Sequence, residues 1–402
     1  VKNATPPVLW LLAVGAFAIG TDAFVIAGVL PEIAHDLRVS PGAAGQLITV
    51  FSLTYALFAP VSASVTGSLS RRTVLACGLG TFVVGNVVSA LGDSYGWVAA
   101  GRFVAALGAA SYTPQASAAA ASLVPEERRG RALGIVIGGL TVATALGVPI
   151  GTWIGGVAGW RATLWAVAAL GAVALLGSAA LPRLAPAGRH PLAERLSGLR
   201  DPAVLITLSV TLLAVTSEHV VYTYIGPVLQ DATHGGRALS VLLFVFGVGA
   251  VAGNALAGIA TDRLGNRAVL LLAVGGMAVD LALLPLWSGS LTGAGVALFV
   301  WGATGWMYLV PQQHRLLSLS EASGPFTVAL NSSALYLGIA LGGVLGGLLV
   351  NTWGPGSTAV PAFVLAAVAV TVAALTYGRP TPAGPVRETR DDPARQGVLD
   401  DD

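Results

Sequence analysis

Residues Thr261-Asp-Arg-Leu264-Gly-Asn-Arg267-Ala-Val269-Leu270 have a counterpart 195 positions earlier, Thr66-Gly-Ser-Leu69-Ser-Arg-Arg72-Thr-Val74-Leu75. One threonine, two leucines, one arginine and one valine recur in register at that single offset. Each stretch is short and basic and stands between two apolar runs of ~20 residues, the length a helix needs to cross a hydrocarbon core of ~30 Å. A motif repeated at about half the length of the chain marks an internal duplication. The repeat continues outward: Gly147 and Gly151 fall on Gly342 and Gly346 at the same offset, and at 196 Pro31 falls on Pro227 and Asp22 on Glu218.

Composition sets the solvent. Of 402 residues, 55% are hydrophobic and 10% charged, with mean hydropathy +0.78. Soluble domains carry about 25% charged residues, so a soluble enzyme, a secreted module and a disordered chain are excluded. The apolar runs are too long for the ~10-residue strands of a membrane barrel. The first, from Val8 to about Leu30, is also longer than a signal-peptide core. Cys77 is the only cysteine, which excludes disulfide frameworks and multi-cysteine metal sites. Apolar runs predict twelve spans, near 8–30, 44–66, 73–92, 97–123, 131–157, 161–182, 203–228, 238–260, 268–288, 290–312, 325–350 and 357–377. The organisation expected is an N-terminal six-helix bundle (1–182), a linker (183–201), a C-terminal six-helix bundle (202–378) and a disordered tail (379–402). Of the 21 Lys and Arg, only Arg38, Arg161 and Arg237 fall in loops at one face and only Arg102 within a span. The positive-inside rule then puts both termini and the linker in the cytoplasm. Two bundles of like orientation imply a pseudo-twofold axis along the membrane normal and a site between them near mid-membrane, opened to each side in turn.

Gly147, Gly151 and Gly155 in the fifth span and Gly338, Gly342 and Gly346 in the eleventh recur every fourth residue. Small residues at that spacing let helix backbones approach closely in lipid. Their matched placement in both halves suggests an interface that slides. Pro149 removes a backbone hydrogen bond and predicts a bend.

With these motifs the chain resembles the major facilitator superfamily, and within it the twelve-helix bacterial drug:proton antiporters. Gly258-Ile-Ala-Thr-Asp262-Arg263-Leu-Gly265-Asn-Arg267 resembles the family's cytoplasmic loop motif, whose first-half copy keeps only Arg71 and Arg72, with Gly67 and Ser68 in place of the acid and arginine. Arg102, in Gly101-Arg102-Phe-Val-Ala-Ala-Leu-Gly108, resembles the fourth-helix arginine. Gly147-Val-Pro149-Ile-Gly151 after Gly139 resembles the fifth-helix motif of antiporters. The stretch Gly20-Thr-Asp22 to Pro31-Glu is similar to the first helix of the branch with actinobacterial chloramphenicol-resistance and arabinose-efflux permeases. Many relatives there carry a glutamate where this chain has Ala23; its acid is Asp22, about 100° round the helix. The resemblance implies an all-α fold of twelve transmembrane helices in two six-helix bundles, in a bacterial cytoplasmic membrane. It implies a small-molecule substrate, protons as the coupled ion, the bilayer as surroundings, and a monomer with no cofactor.

Ionisable residues within spans are Asp22, Arg102, Glu218, His219 and Asp280. Each costs ~2.5–3.5 kcal/mol at a span centre, so pairing or function is expected. Counting 1.5 Å per residue places Asp22, Arg102 and Glu218 at similar depth. One basic group then faces two carboxylates across the cavity, an arrangement that suits proton coupling. His219 reads as a satisfied polar residue and Asp280 as an outer-layer residue paired with a polar neighbour or lipid head. Tyr222 shares a face with Glu218; Trp301, Tyr308, Asn331 and Tyr336 add aromatic and polar groups from the tenth and eleventh spans, and Tyr112, Thr113 and Gln115 from the fourth. A weakly polar aromatic cavity with one or two acids suits an amphipathic neutral or cationic compound. Arg71, Arg72, Asp262, Arg263, Gly265 and Arg267 are expected at a cytoplasmic gate.

The chain contains no P-loop spacing, H-E-x-x-H pair or G-x-S-x-G elbow, so neither direct ATP drive nor hydrolase chemistry is expected. Arginines split among short loops do not form a nucleic-acid patch. The expected function is proton-coupled export of an amphipathic drug by alternating access. Efflux of a sugar or other metabolite on the same scaffold is the alternative, with a membrane enzyme or channel further off.

Overall fold

The structure, a computed structural model, describes residues 7–125, 128–182, 184, 186, 191–233, 236–319 and 324–377. The expected disordered tail (379–402) and part of the linker lie outside the described residues. All regular structure among the described residues is helical. Twelve long segments follow in order: α1 Pro7–Gly28, α2 Pro41–Val65, α3 Arg71–Leu91, α4 Tyr95–Ser122, α5 Arg129–Ala158, α6 Trp160–Ser178, α7 Pro202–Tyr222, α8 Gly236–Leu264, α9 Asn266–Ala282, α10 Leu291–Leu319, α11 Gly324–Trp353 and α12 Ala359–Thr376. Ten are long and apolar enough to cross a membrane. The other two are α4 and α9. α4 is diluted by Arg102, Gln115 and many small residues, and α9 has 17 residues before Pro285 turns the chain into Leu284–Trp287.

The ends of the helices follow local chemistry. Ser40, Ser70, Asp201 and Ser290 each accept a backbone N–H of the first turn they precede, and Pro41 and Pro202 follow the first and third of these caps. α1 stops at Gly28 before a short helix Leu30–Asp36, and α7 stops at Tyr222 before Ile225–Val228. The first and seventh spans are therefore shorter than expected, each broken near its repeated proline, Pro31 or Pro227.

The duplication is visible in the backbone. Gly159 between α5 and α6 has φ +85°, and Gly354, 195 positions on, has φ +83°. Both sit in the left-handed region that favours glycine, and both turn one helix directly into the next. Gly265, at φ +81°, ends α8 before α9. Its first-half equivalent is Ser70, at φ −59°, whose side chain caps α3 instead.

The four-residue glycine runs do not form a sliding interface. Methyl groups at Gly147 and Gly151 would collide with Thr21 and Val25 of α1, and one at Gly155 with Val29 just beyond it. Methyl groups at Gly338, Gly342 and Gly346 would collide with α7 at Val215, at Thr216 and His219, and at Val220, the last also with Tyr224 just beyond the helix. These pairs are equivalent in the repeat, and both lie inside a bundle. The bundles meet through other pairs, α2 with α11 and α5 with α8. There Gly42 and Gly45 abut Asn351 and Tyr224, Gly343 and Gly347 abut Thr49 and Gln46, and Gly247 abuts the Ala145 backbone. The bend expected at Pro149 is a π turn, Ala143–Gly147, just before it. The missing proline N–H is accommodated by one wider turn, which presents Ala145 to Gly247.

Candidate transport site

The face bearing Arg38, Arg161 and Arg237 is the arginine-poor end; the face bearing the repeated loops is the arginine-rich end. At the arginine-poor end the bundles are hydrogen-bonded together. Gly42 N donates to Asn351 Oδ1 (3.1 Å), Gln46 Nε2 to the Gly343 carbonyl (3.1 Å), and the Tyr224 hydroxyl to the same carbonyl (2.7 Å). Deeper along α2, Thr49 Oγ1 donates to the Ala340 carbonyl (3.4 Å). One turn further the Tyr55 and Tyr336 rings stack at 3.7 Å between centroids. On the outside of this end Asp36 accepts from Arg161 and from Trp160 Nε1, and these bonds hold its carboxyl below the usual carboxylate range.

Between the first and fourth helices, Arg102 of α4 and Asp22 of α1 are both fully buried. Arg102 Nη1 donates to Asp22 Oδ1 at 2.5 Å and Nη2 to the Asp22 carbonyl at 3.1 Å. The guanidinium carbon also lies 4.5 Å from the centroid of the Phe51 ring. Asp22 Oδ2 has no hydrogen-bond partner among the described residues, Asn86 stands beside the carboxylate, and Tyr336 of the opposite bundle lies within reach of its charge. The expectation that Arg102 faces two acids is corrected: both of its bonds go to Asp22, within one bundle.

Glu218 of α7 is buried without an ion-pair partner among the described residues. Tyr222 and Tyr308 lie close enough to feel its charge, and Gly305 of α10 leaves room for its Oε1. Around it the rings of Tyr222, Phe246 and Trp301 pack at centroid separations of 5.1–6.3 Å, and Phe24 of α1 closes on Tyr222 at 6.3 Å. Tyr222 OH, Trp301 Nε1 and His219 Nε2 are buried without hydrogen-bond partners among the described residues. His219 is thus only half satisfied, by the Val215 carbonyl. Asp280 Oδ2 also lacks a hydrogen-bond partner among the described residues, while Trp287 Nε1 donates to the Asp280 backbone carbonyl (3.0 Å).

Several expected cavity residues lie elsewhere. Tyr112 turns into its own bundle and donates to the Leu12 carbonyl at 2.9 Å, so it is a packing residue between α4 and α1. Asn331 accepts from Thr211 (2.7 Å), and Thr211 also receives Gln312 Nε2 (3.1 Å), so Asn331 belongs to a network inside the C-terminal bundle. Gln115 is buried with Oε1 unbonded. Thr113 is half-buried beside Tyr55. Phe24, Tyr55, Gln46, Thr49, Tyr224 and Asn351 carry contacts between bundles that the sequence reading did not assign. The close glycines Gly42, Gly45, Gly343 and Gly347 were the available signal.

At the arginine-rich end, Asp262 and Arg263 are exposed and have no ion pair among the described residues. Arg71 donates to the Ala118 carbonyl (2.7 Å) and Arg267 to the Ala374 carbonyl (2.9 Å), each inside its own bundle. Neither Arg71 nor Arg267 reaches the opposite bundle through these bonds, and no ion pair of Asp262 or Arg263 crosses this end among the described residues. Arg72 is half-buried, and Gly265 supplies the turn already described. The linker reaches both sides here: Arg195 donates to the Ala63 carbonyl of α2 (3.2 Å) and lies over the Phe326 ring of α11 (5.3 Å).

The sequence matches the family described as Major Facilitator Superfamily over residues 12–320 and 207–399. It is 33% identical over 358 residues to the inner membrane transport protein YdhP of Escherichia coli K12, covering 88% of this chain and 91% of that one. It is 34% identical over 348 residues to the uncharacterized MFS-type transporter YbcL of Bacillus subtilis, covering 85% and 88%. It is 38% identical over 277 residues to a chloramphenicol resistance protein of Streptomyces lividans, covering 67% and 70%. A solved structure of the xylose transporter XylE from E. coli superposes with TM-score 0.74 at 14% identity, covering 93% of this chain and 99% of that one, which fixes the fold.

Proposed function

Because the chain belongs to the Major Facilitator Superfamily, and is therefore a multi-pass membrane transporter rather than an enzyme, we propose that it exports an amphipathic small molecule, of the antibiotic class, in exchange for protons. The observation that carries this reading is the pairing of a buried acid–arginine couple, Asp22–Arg102, with a second acid, Glu218, that has no ion-pair partner among the described residues and is set among aromatic rings. The likeness to a chloramphenicol resistance protein supports the substrate class.

In this reading both termini are cytoplasmic, the bundles comprise 1–182 and 202–378, and the chain acts as a monomer. The arginine-rich end is then the cytoplasmic face, and the state described is closed to the outside with its cytoplasmic lock disengaged. A charged Glu218 without a partner is costly; a proton or a cationic substrate group removes that cost. Arg102 pairs directly with Asp22 in the state described. Movement of α4 relative to α1 separates the pair and lets Asp22 take a proton. One proton crossing 100 mV supplies ~2.3 kcal/mol, a gradient of roughly 50-fold at 1.4 kcal/mol per decade.

The test is a panel of amphipathic antibiotics, chloramphenicol included, on everted vesicles from an efflux-deficient host. Substrate-dependent proton movement, lost in Asp22→Asn, is expected. Proton movement driven by sugars and by no antibiotic would replace drug export with metabolite efflux.

A further inference from the structure

On the lipid-facing side of the α5–α8 seam, at the arginine-poor end, lies a groove of ≈ 450 Å³ whose walls come from both bundles: Pro149, Ile150 and Trp153 on one side, Arg237, Val241 and Phe244 on the other. Ile150, Trp153, Val241 and Phe244 are exposed large apolar side chains. Arg237 is the second residue of α8 and Phe244 lies seven residues, or ~10 Å, deeper. Trp153 lies five residues, or ~8 Å, below the end of α5. The groove therefore starts at headgroup level, where Arg and Trp anchor, and runs into the hydrocarbon. Its lining has one positive charge and no acid. Arg237 is exposed and has no ion pair among the described residues.

We propose that this groove binds one anionic phospholipid of the adjacent leaflet, its phosphate on the Arg237 guanidinium and an acyl chain along Ile150, Trp153, Val241 and Phe244. A guanidinium is well shaped for phosphate oxygens, and the apolar wall below it is continuous with the lipid tails. Just beneath, the π turn brings Ala145 against Gly247, so the bound lipid touches both bundles where they are closed. Separation of α5 from α8 would split the site, so occupancy favours the state closed at the arginine-poor end. The inference rests on membrane embedding and not on the export reading.

The experiment uses the full chain in nanodiscs of phosphatidylglycerol or phosphatidylcholine, with a photo-crosslinkable phosphatidylglycerol analogue as probe. Labelling concentrated on peptides containing 150–153 and 237–244 is expected. In detergent, the wild type should bind phosphatidylglycerol about fivefold tighter than phosphatidylcholine, the size expected for one basic residue at an anionic surface. Arg237→Gln should erase that preference with no change in thermal stability in phosphatidylcholine, because the side chain is exposed. Spin-label distances across the arginine-poor end should narrow in phosphatidylglycerol for wild type and not for Arg237→Gln. Equal affinity for the two lipids, or a preference unaltered in Arg237→Gln, overturns the proposal. Displacement of the probe by an amphipathic antibiotic, with no preference between lipids, would make the groove a substrate path instead.

Discussion

Arg102 spends two donors on one residue, the carboxylate and the carbonyl of Asp22. Lysine offers a point charge and cannot repeat that fork, so Arg102→Lys should transport poorly. Arg102→Ala leaves a buried acid alone and should cost about 3–5 kcal/mol of stability; a melting temperature like that of wild type would refute the pair's structural part. Asp22→Asn should keep substrate binding and lose uphill export, and wild-type proton-driven export by this variant would remove Asp22 from coupling. Tyr112→Phe separates packing from transport. Losing the bond to Leu12 should cost about 1 kcal/mol while leaving substrate affinity unchanged. Asp36 gives a pH prediction with a definite sign. Its carboxyl is lowered by the bonds from Arg161 and Trp160, so its contribution is complete above the ordinary aspartate value and is lost only as pH falls through the lowered one. The side chains are 46% and 35% exposed, so solvent screening limits the contribution to under about 1 kcal/mol. The stability difference between wild type and Asp36→Asn, read from thermal melts, should be flat between pH 5 and 8.

Among the elements, α5 decides most. Its glycines bind it to α1, and its π turn binds it to α8. The two roles can be separated by methyl groups. Gly151→Ala presses on Val25 inside the N-terminal bundle and should lower thermal stability. Gly247→Ala presses on the Ala145 backbone across the seam and should instead widen the arginine-poor end, measured by spin-label distance after replacing Cys77, the sole cysteine, which is exposed. If both variants lose stability without any change in that distance, the seam does not move. Pro149 was legible in the sequence as a break in hydrogen bonding. That the resulting wide turn packs on Gly247 was not, because the chain does not show which residue of the other bundle approaches it.

Across the whole molecule, one end is bonded shut through Gly42–Asn351, Gln46–Gly343 and Tyr224–Gly343, and the Asp262–Arg263 pair at the other end is exposed. Opposite variants should therefore move the equilibrium in opposite directions. Asn351→Ala removes a bond present only while the arginine-poor end is closed and should populate the opposite state. Asp262→Asn removes a group free in the present state, so any loss falls on the other state, and the share of the present one should rise. The readout is label distance across each face. An Asp262→Asn protein with unaltered distances would show that this loop is no gate here.

Hydropathy, the 195-residue repeat and the arginine distribution are properties of the chain in its solvent, and they determined twelve helical segments in two like bundles without reference to any contact. The acid and the arginine were legible as well, because a charge in a 20-residue apolar run is expensive wherever it points. Facing is another matter. A membrane helix is apolar all round, so its sequence lacks the polar stripe that tells a soluble helix which side is out. Tyr112 and Tyr336 look alike in the sequence; only packing sends one to Leu12 in its own bundle and the other to Tyr55 across the seam. Likewise Gly151 and Gly343 are equally small, and only the crossing of the helices decides that the first fixes a bundle and the second joins two.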